Sequence, residues 1–191
     1  MRGHDLFRYA GLAALLACYV TIILGGNVIA SDSGLGCPSW PSCNGTFNLL
    51  PSASGASAVE WAHRVSAFFL AVVIVILSAF ALAYERRRPV LLKLSLFSLA
   101  LVVALALLGG AVVESSLDIS LVLLHFALAT ILFGVLLVLV LLSNLRSLSR
   151  RWVNWAVKAS EEQEFDPYAP AGSGEPTDRT GPTGPSPGPE G

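Results

Sequence analysis

Charge is what this chain has least of: 13% of its 191 residues are Asp, Glu, Lys or Arg, against 54% hydrophobic. So dilute a charge excludes an ordinary soluble domain and puts the chain in the membrane class. Lysine and arginine are missing altogether from residues 31–58 and 114–118. Strict alternation of apolar and polar residues is missing too. The apolar runs are unbroken, which excludes a β-barrel and leaves helices, whose backbone groups are all bonded within the segment. A cleavable leader is not expected, because the first apolar run, residues 6–30, far exceeds an apolar core of roughly 7–15 residues. Histidine and cysteine occur three times each, so every one needs its own account.

What is present is four apolar runs, at about residues 6–30, 59–83, 91–113 and 117–142. Each is long enough to cross a bilayer as a helix, which takes roughly 18–20 residues. Short breaks at 84–90 and 114–118 make helices two, three and four antiparallel neighbours. The expected fold is therefore an all-α integral membrane protein, a four-helix up-and-down bundle. Its basic residues are Arg2 and Arg8 before the first run, Arg86, Arg87, Arg88 and Lys93 at the second connection, and Arg146, Arg150, Arg151 and Lys158 after the fourth. By the positive-inside rule both termini are cytoplasmic, and residues 31–58 and 114–118 face outward. The chain divides into a membrane domain, 1–158, and a tail, 159–191. The tail is acidic at first and then rich in Pro, Gly, Ser and Thr, a composition expected to stay disordered. Trp152 and Trp155 read as interfacial anchors.

The outward loop holds Cys37-Pro38-Ser39-Trp40-Pro41-Ser42-Cys43. Thiols on that side meet an oxidising compartment, so a disulfide is the expected state. A structural staple, a redox-active pair and a metal site all remain open on the residues alone. Cys18, mid-way along the first span, reads as a small buried hydrophobe. Asn44-Gly45-Thr46 fits a glycosylation pattern of low specificity. Gly25-Gly26 and Gly109-Gly110 either let helices pack closely or make room for a bulky ligand.

Glu60, His63 and Arg64 open the second span, and His125 lies near the start of the fourth. A charged side chain costs roughly 2.5–3.5 kcal/mol at the centre of a membrane helix, so such groups are functional candidates. The second and fourth spans run the same way, and both imidazoles fall roughly 6–12 Å below the outer surface at 1.5 Å rise per residue. Paired imidazoles from facing helices are the usual way to hold a haem iron on both axial sides. Zinc or copper would need further ligands, and only Glu60 stands near. The bland alternative is that each histidine bonds a backbone carbonyl or a polar neighbour. Arg64 suits a haem propionate, because its fork binds carboxylates bidentately. Glu60 shares a helix face with His63 and Arg64, and so either pairs with Arg64 or is held over a bound macrocycle.

Together Ser33-Gly34-Leu35-Gly36-Cys37-Pro38-Ser39-Trp40-Pro41-Ser42-Cys43-Asn44-Gly45, Glu60-x-x-His63-Arg64, Leu108-Gly109-Gly110 and His125 resemble the N-terminal half of the haem A synthase family. The resemblance covers about residues 6–143. It implies a plasma-membrane oxidoreductase that converts the C8 methyl of haem O to a formyl group, giving haem A for terminal oxidases. In that family two successive hydroxylations give a hydrated aldehyde that then loses water. It further implies His63 and His125 as axial haem ligands, Glu60 as the required carboxylate, and Cys37–Cys43 as an outer-loop disulfide. Familiar members have eight helices in two similar halves, one seating the substrate haem and the other a haem b cofactor. A chain matching one half is expected to form a homo-oligomer. Haem O synthase or a terminal oxidase assembly are further expected partners; nucleic acid is not. The competing readings are a bis-histidine haem b electron-transfer protein and a non-catalytic haem carrier.

Overall fold

The computed structural model describes residues 3–43 and 55–162, without the side chains of 145–152, 156 and 159–162. It has four helices: α1 (Gly3–Ala30), α2 (Ala56–Tyr84), α3 (Pro89–Glu114) and α4 (Ile119–Glu162). All four contain a stretch long and apolar enough to cross a membrane, that of α4 being Ile119–Asn144. No strand occurs among the described residues. The expected all-α, four-span architecture is the observed one. Asn44-Gly45-Thr46 and tail residues 163–191 lie outside the described residues.

Local chemistry sets the ends of the helices. At the end of α1, Asp32 turns left-handed (φ 52°), and the Ser33 N–H returns to the Val28 carbonyl at 2.8 Å. That bond satisfies one of the carbonyls a helix end leaves open. α3 begins at Pro89, whose missing N–H costs nothing in the first turn. It ends where Ser116 and Leu117 both turn left-handed and the Leu117 N–H bonds the Val112 carbonyl at 2.9 Å. α4 starts two residues later than the apolar run suggests. Leu117 belongs to the turn, and Asp118 caps the helix by accepting from the N–H groups of Ser120 and Leu121 at 2.9 and 3.2 Å. At its other end α4 passes the composition change at Ser160 and stops at Glu162. Nothing in that stretch is a helix breaker; the first proline is Pro167.

Of the described residues, those up to Arg150 form one compact unit and those from Arg151 belong to another. In the second, Trp155 is exposed, as an interfacial anchor would be. In the first, the core is built from Phe7, Ala14 and Cys18 of α1, Leu70, Ile74, Leu77 and Ala81 of α2, Leu91, Leu101 and Leu105 of α3, and Leu132, Leu136 and Leu139 of α4. Cys18 is free and buried, as its mid-span position suggests. Ser78 donates from α2 to the Ser95 carbonyl of α3 at 3.2 Å, a polar stitch between packed helices. Large apolar side chains such as Leu16, Phe68, Phe69 and Leu123 point outward, which suits a lipid solvent.

This core does not run the whole length of the bundle. On α2 no residue between Glu60 and Leu70 is buried, and on α4 none precedes Leu132. His63 and His125 lie in those two stretches and are half-buried. Over this end sits the segment 31–43, with Trp40 against Gly110 of α3 and Leu117 against Gly34.

Candidate functional site

His63 stands seven residues into α2 and His125 six residues into α4. At 1.5 Å per residue, these positions are about 9–11 Å along their axes, closer in depth than the sequence expectation.

Each imidazole faces a glycine of the preceding helix. A Cβ on Gly25 of α1 would lie 3.0 Å from His63 Cε1, and one on Gly109 of α3 would lie 3.4 Å from His125 Cε1. Gly25 has a specific task. It clears the way for His63 Nδ1 to reach the Thr21 carbonyl of α1 at 3.2 Å. A carbonyl only accepts, so Nδ1 holds the proton and Nε2 keeps its lone pair. A metal-ligating histidine is commonly oriented in this way by its other nitrogen. His125 differs: its Nδ1 is buried and has no hydrogen-bond partner among the described residues. The bland expectation, a backbone carbonyl or a polar neighbour for each histidine, therefore describes His63, and no such partner of His125 Nδ1 occurs among the described residues. Gly26 has no neighbour that a Cβ would meet.

Above the histidines, Glu60 is buried, with a side chain 5% exposed. Its Oε1 accepts from Arg64 Nη2 at 2.5 Å and from Nε at 3.1 Å, and its Oε2 accepts from the Cys37 N–H at 2.8 Å. The remaining Arg64 donors go to the cysteine loop. Nη1 bonds the Ser39 and Ser42 carbonyls at 2.6 and 3.1 Å, and Nη2 the Cys37 carbonyl at 2.8 Å. Cys37 and Cys43 form a disulfide, with Cα atoms 4.4 Å apart. Ser57 of α2 donates to the Gly36 carbonyl at 2.7 Å and fastens the loop a second time. Among the described residues no group of three or more His, Cys, Asp or Glu could hold a bare metal ion.

One buried charge escaped the sequence reading. Glu85, in the α2–α3 turn, has a fully buried side chain; it accepts from His4 Nδ1 at 2.7 Å and from Arg88 Nη1 at 3.3 Å. It lies at the opposite end of the bundle from the disulfide loop and is a structural tie. The available signal was a histidine near the N-terminus of a chain with only two others.

Fold and site together define a multi-pass helical membrane protein with two half-buried imidazoles under a disulfide-closed cap. Residues 52–163 match the COX15-CtaA family, described as cytochrome oxidase assembly protein, and the chain belongs to that family. Relatives named heme A synthase are similar to it. That of Geobacillus thermodenitrificans is 33% identical over 141 residues, 74% of this chain and 43% of the relative. That of Geobacillus kaustophilus is 34% identical over the same shares, and that of Bacillus pumilus 31% identical over 71% and 44%. The chain thus spans less than half the length of the curated relatives it matches.

Proposed function

We propose that this chain binds haem between His63 and His125, and that in its assembled form it oxidises the C8 methyl of haem O to the formyl group of haem A. The observation that carries the reading is the asymmetry of the two imidazoles. His63 has its Nδ1 proton committed to Thr21, which leaves the lone pair on Nε2, and His125 has a buried Nδ1 with no partner among the described residues. With no third ligand beside them among the described residues, His63 and His125 would hold a haem iron between them and do not suit a tetrahedral metal. Gly25 and Gly109 supply the clearance that each ring needs.

In this reading His63 and His125 fix the macrocycle, and Glu60 supplies negative charge in a water-poor setting, where it stabilises charge developing at the methyl carbon. A resident haem b, when bound, supplies one-electron redox chemistry for the oxidation. Arg64 would reach a propionate only by giving up a carbonyl of the cysteine loop. Arg86, Arg87, Arg88 and Lys93 lie at the end away from that loop, so we place the termini in the cytoplasm and the loop outside the plasma membrane. Further copies of the chain would supply the second set of four helices.

The test is pigment identity. The protein is produced with a source of haem O, purified, and its extracted pigment separated chromatographically. The expected outcome is haem A or its hydroxymethyl precursor from the unaltered chain, and bound but unconverted haem O from Glu60→Ala. Haem A at normal rate from that variant would remove Glu60 from the chemistry. One observation favours a bis-histidine haem b electron-transfer protein or carrier instead: both Glu60 oxygens are already engaged. On that reading only haem b is extracted.

A further inference from the structure

We propose that Arg64 is a positioning residue that couples closure of the Cys37–Cys43 ring to the placement of the Glu60 carboxylate, so that the disulfide holds Glu60 in register and its opening releases it. The inference rests on the reading of Glu60 as the working carboxylate, but its test needs no haem.

Three observations converge. First, the carbonyls that Arg64 holds, those of Cys37, Ser39 and Ser42, all belong to the ring closed by the disulfide. Second, the same guanidinium holds Glu60 Oε1 through two nitrogens. Third, Glu60 Oε2 takes the N–H of Cys37 itself, so ring and carboxylate are joined directly as well as through Arg64.

The planar fork explains why arginine stands here. Five N–H donors in a fixed plane can serve a carboxylate on one edge and several carbonyls on the other, which a lysine ammonium cannot. Closing the ring brings three carbonyls onto one guanidinium. Opening it restores the conformational freedom of the segment between the cysteines, and the convergence is lost. A buried carboxylate left without these partners is costly, so Glu60 must then move or find others.

Opening requires an external dithiol. Its thiolate attacks one sulfur, the Cys37–Cys43 bond breaks, and a mixed disulfide forms. The second thiol then displaces the remaining cysteine. Two thiols stay on the protein and the dithiol leaves as a disulfide, two electrons and two protons having passed to the protein.

Coupling of this kind is reciprocal: if the closed ring favours the bound Glu60, loss of the clamp must make the ring easier to open. The experiment has two arms on the full chain in detergent. In the first, the reduced fraction of Cys37 and Cys43 is read by alkylation across dithiothreitol ratios for the unaltered chain, Arg64→Lys and Arg64→Gln. The expected result is a shift of the equilibrium towards the thiols by about 5- to 150-fold in Arg64→Gln, the usual span of coupling between sites. Arg64→Lys should fall between, because it returns the charge to Glu60 without the fork. In the second arm, which needs no variant, a membrane-permeant carbodiimide labels carboxyl groups before and after reduction, and peptide masses report the site. Labelling of Glu60 should rise on reduction, while Glu85 at the far end stays constant.

The proposal is overturned if Arg64→Gln leaves the reduction equilibrium unchanged, if Arg64→Lys matches the unaltered chain, or if reduction leaves Glu60 labelling as it was. Failure to convert haem O with both couplings intact would count against the chemical role of Glu60 and not against the clamp.

Discussion

At the scale of single residues, the site depends on what is missing from two positions. Gly25 and Gly109 each stand beside an imidazole, but the clearances differ. A methyl at 3.4 Å from His125 is ordinary contact, whereas one at 3.0 Å from His63 forces the ring to give way. Displacing that ring strains its bond to the Thr21 carbonyl, and a lost hydrogen bond of this kind costs about 1 kcal/mol. Gly25→Ala should therefore weaken haem binding about fivefold, and Gly109→Ala should bind almost as the unaltered chain does. His63→Ala and His125→Ala should each abolish the low-spin Soret band. Absorbance titration of the four variants checks the order, and equal losses at the two glycines would contradict the role given to Thr21.

At the scale of elements, the four spans were legible because a bilayer demands long apolar runs, and nothing else in the chain imitates one. Their ends were less legible. Leu117 reads as the start of a helix by hydropathy, yet the next residue, Asp118, is the cap, and Leu117 is spent on a left-handed turn. The histidine depth and the Glu60–Arg64 pairing followed from helical spacing, which is local. The destination of the other Arg64 donors did not, because it depends on how residues 37–43 fold back over α2. Glu85 was hidden for the same reason: in sequence it is one more charge in a basic turn. It ties α1 to the α2–α3 connection through His4 and Arg88. Glu85→Ala should destabilise the bundle by about 1 kcal/mol, the net worth of a hydrogen bond, because His4 and Arg88 are exposed enough to be solvated once it is gone. The expected readout is a lower melting temperature in detergent with an unchanged absorbance spectrum, since the tie is at the end away from the histidines. A spectral change would mean that the two ends communicate.

At the scale of the whole molecule, the proposed function raises the question of where each iron would sit in an assembly of several copies. The chain covers 43–44% of the curated relatives it matches, and under the proposed function a second copy would supply the remaining helices. Light scattering of the purified protein should accordingly give a multiple of the single-chain mass. Assembly alone leaves two arrangements: His63 and His125 of one chain on one iron, or each iron shared between chains. The first is the arrangement we propose. α2 and α4 run in the same direction, and their histidines lie at nearly one depth. Co-producing His63→Ala with His125→Ala separates the two. If one chain supplies both ligands, every site in the mixed assembly lacks one imidazole, and the bis-histidine spectrum stays absent. If the iron were shared between chains, mixed pairs would include sites with both imidazoles intact, and part of the Soret band would return. The expected result is no return, and its reappearance would move the site from the core of each bundle to the interface between copies.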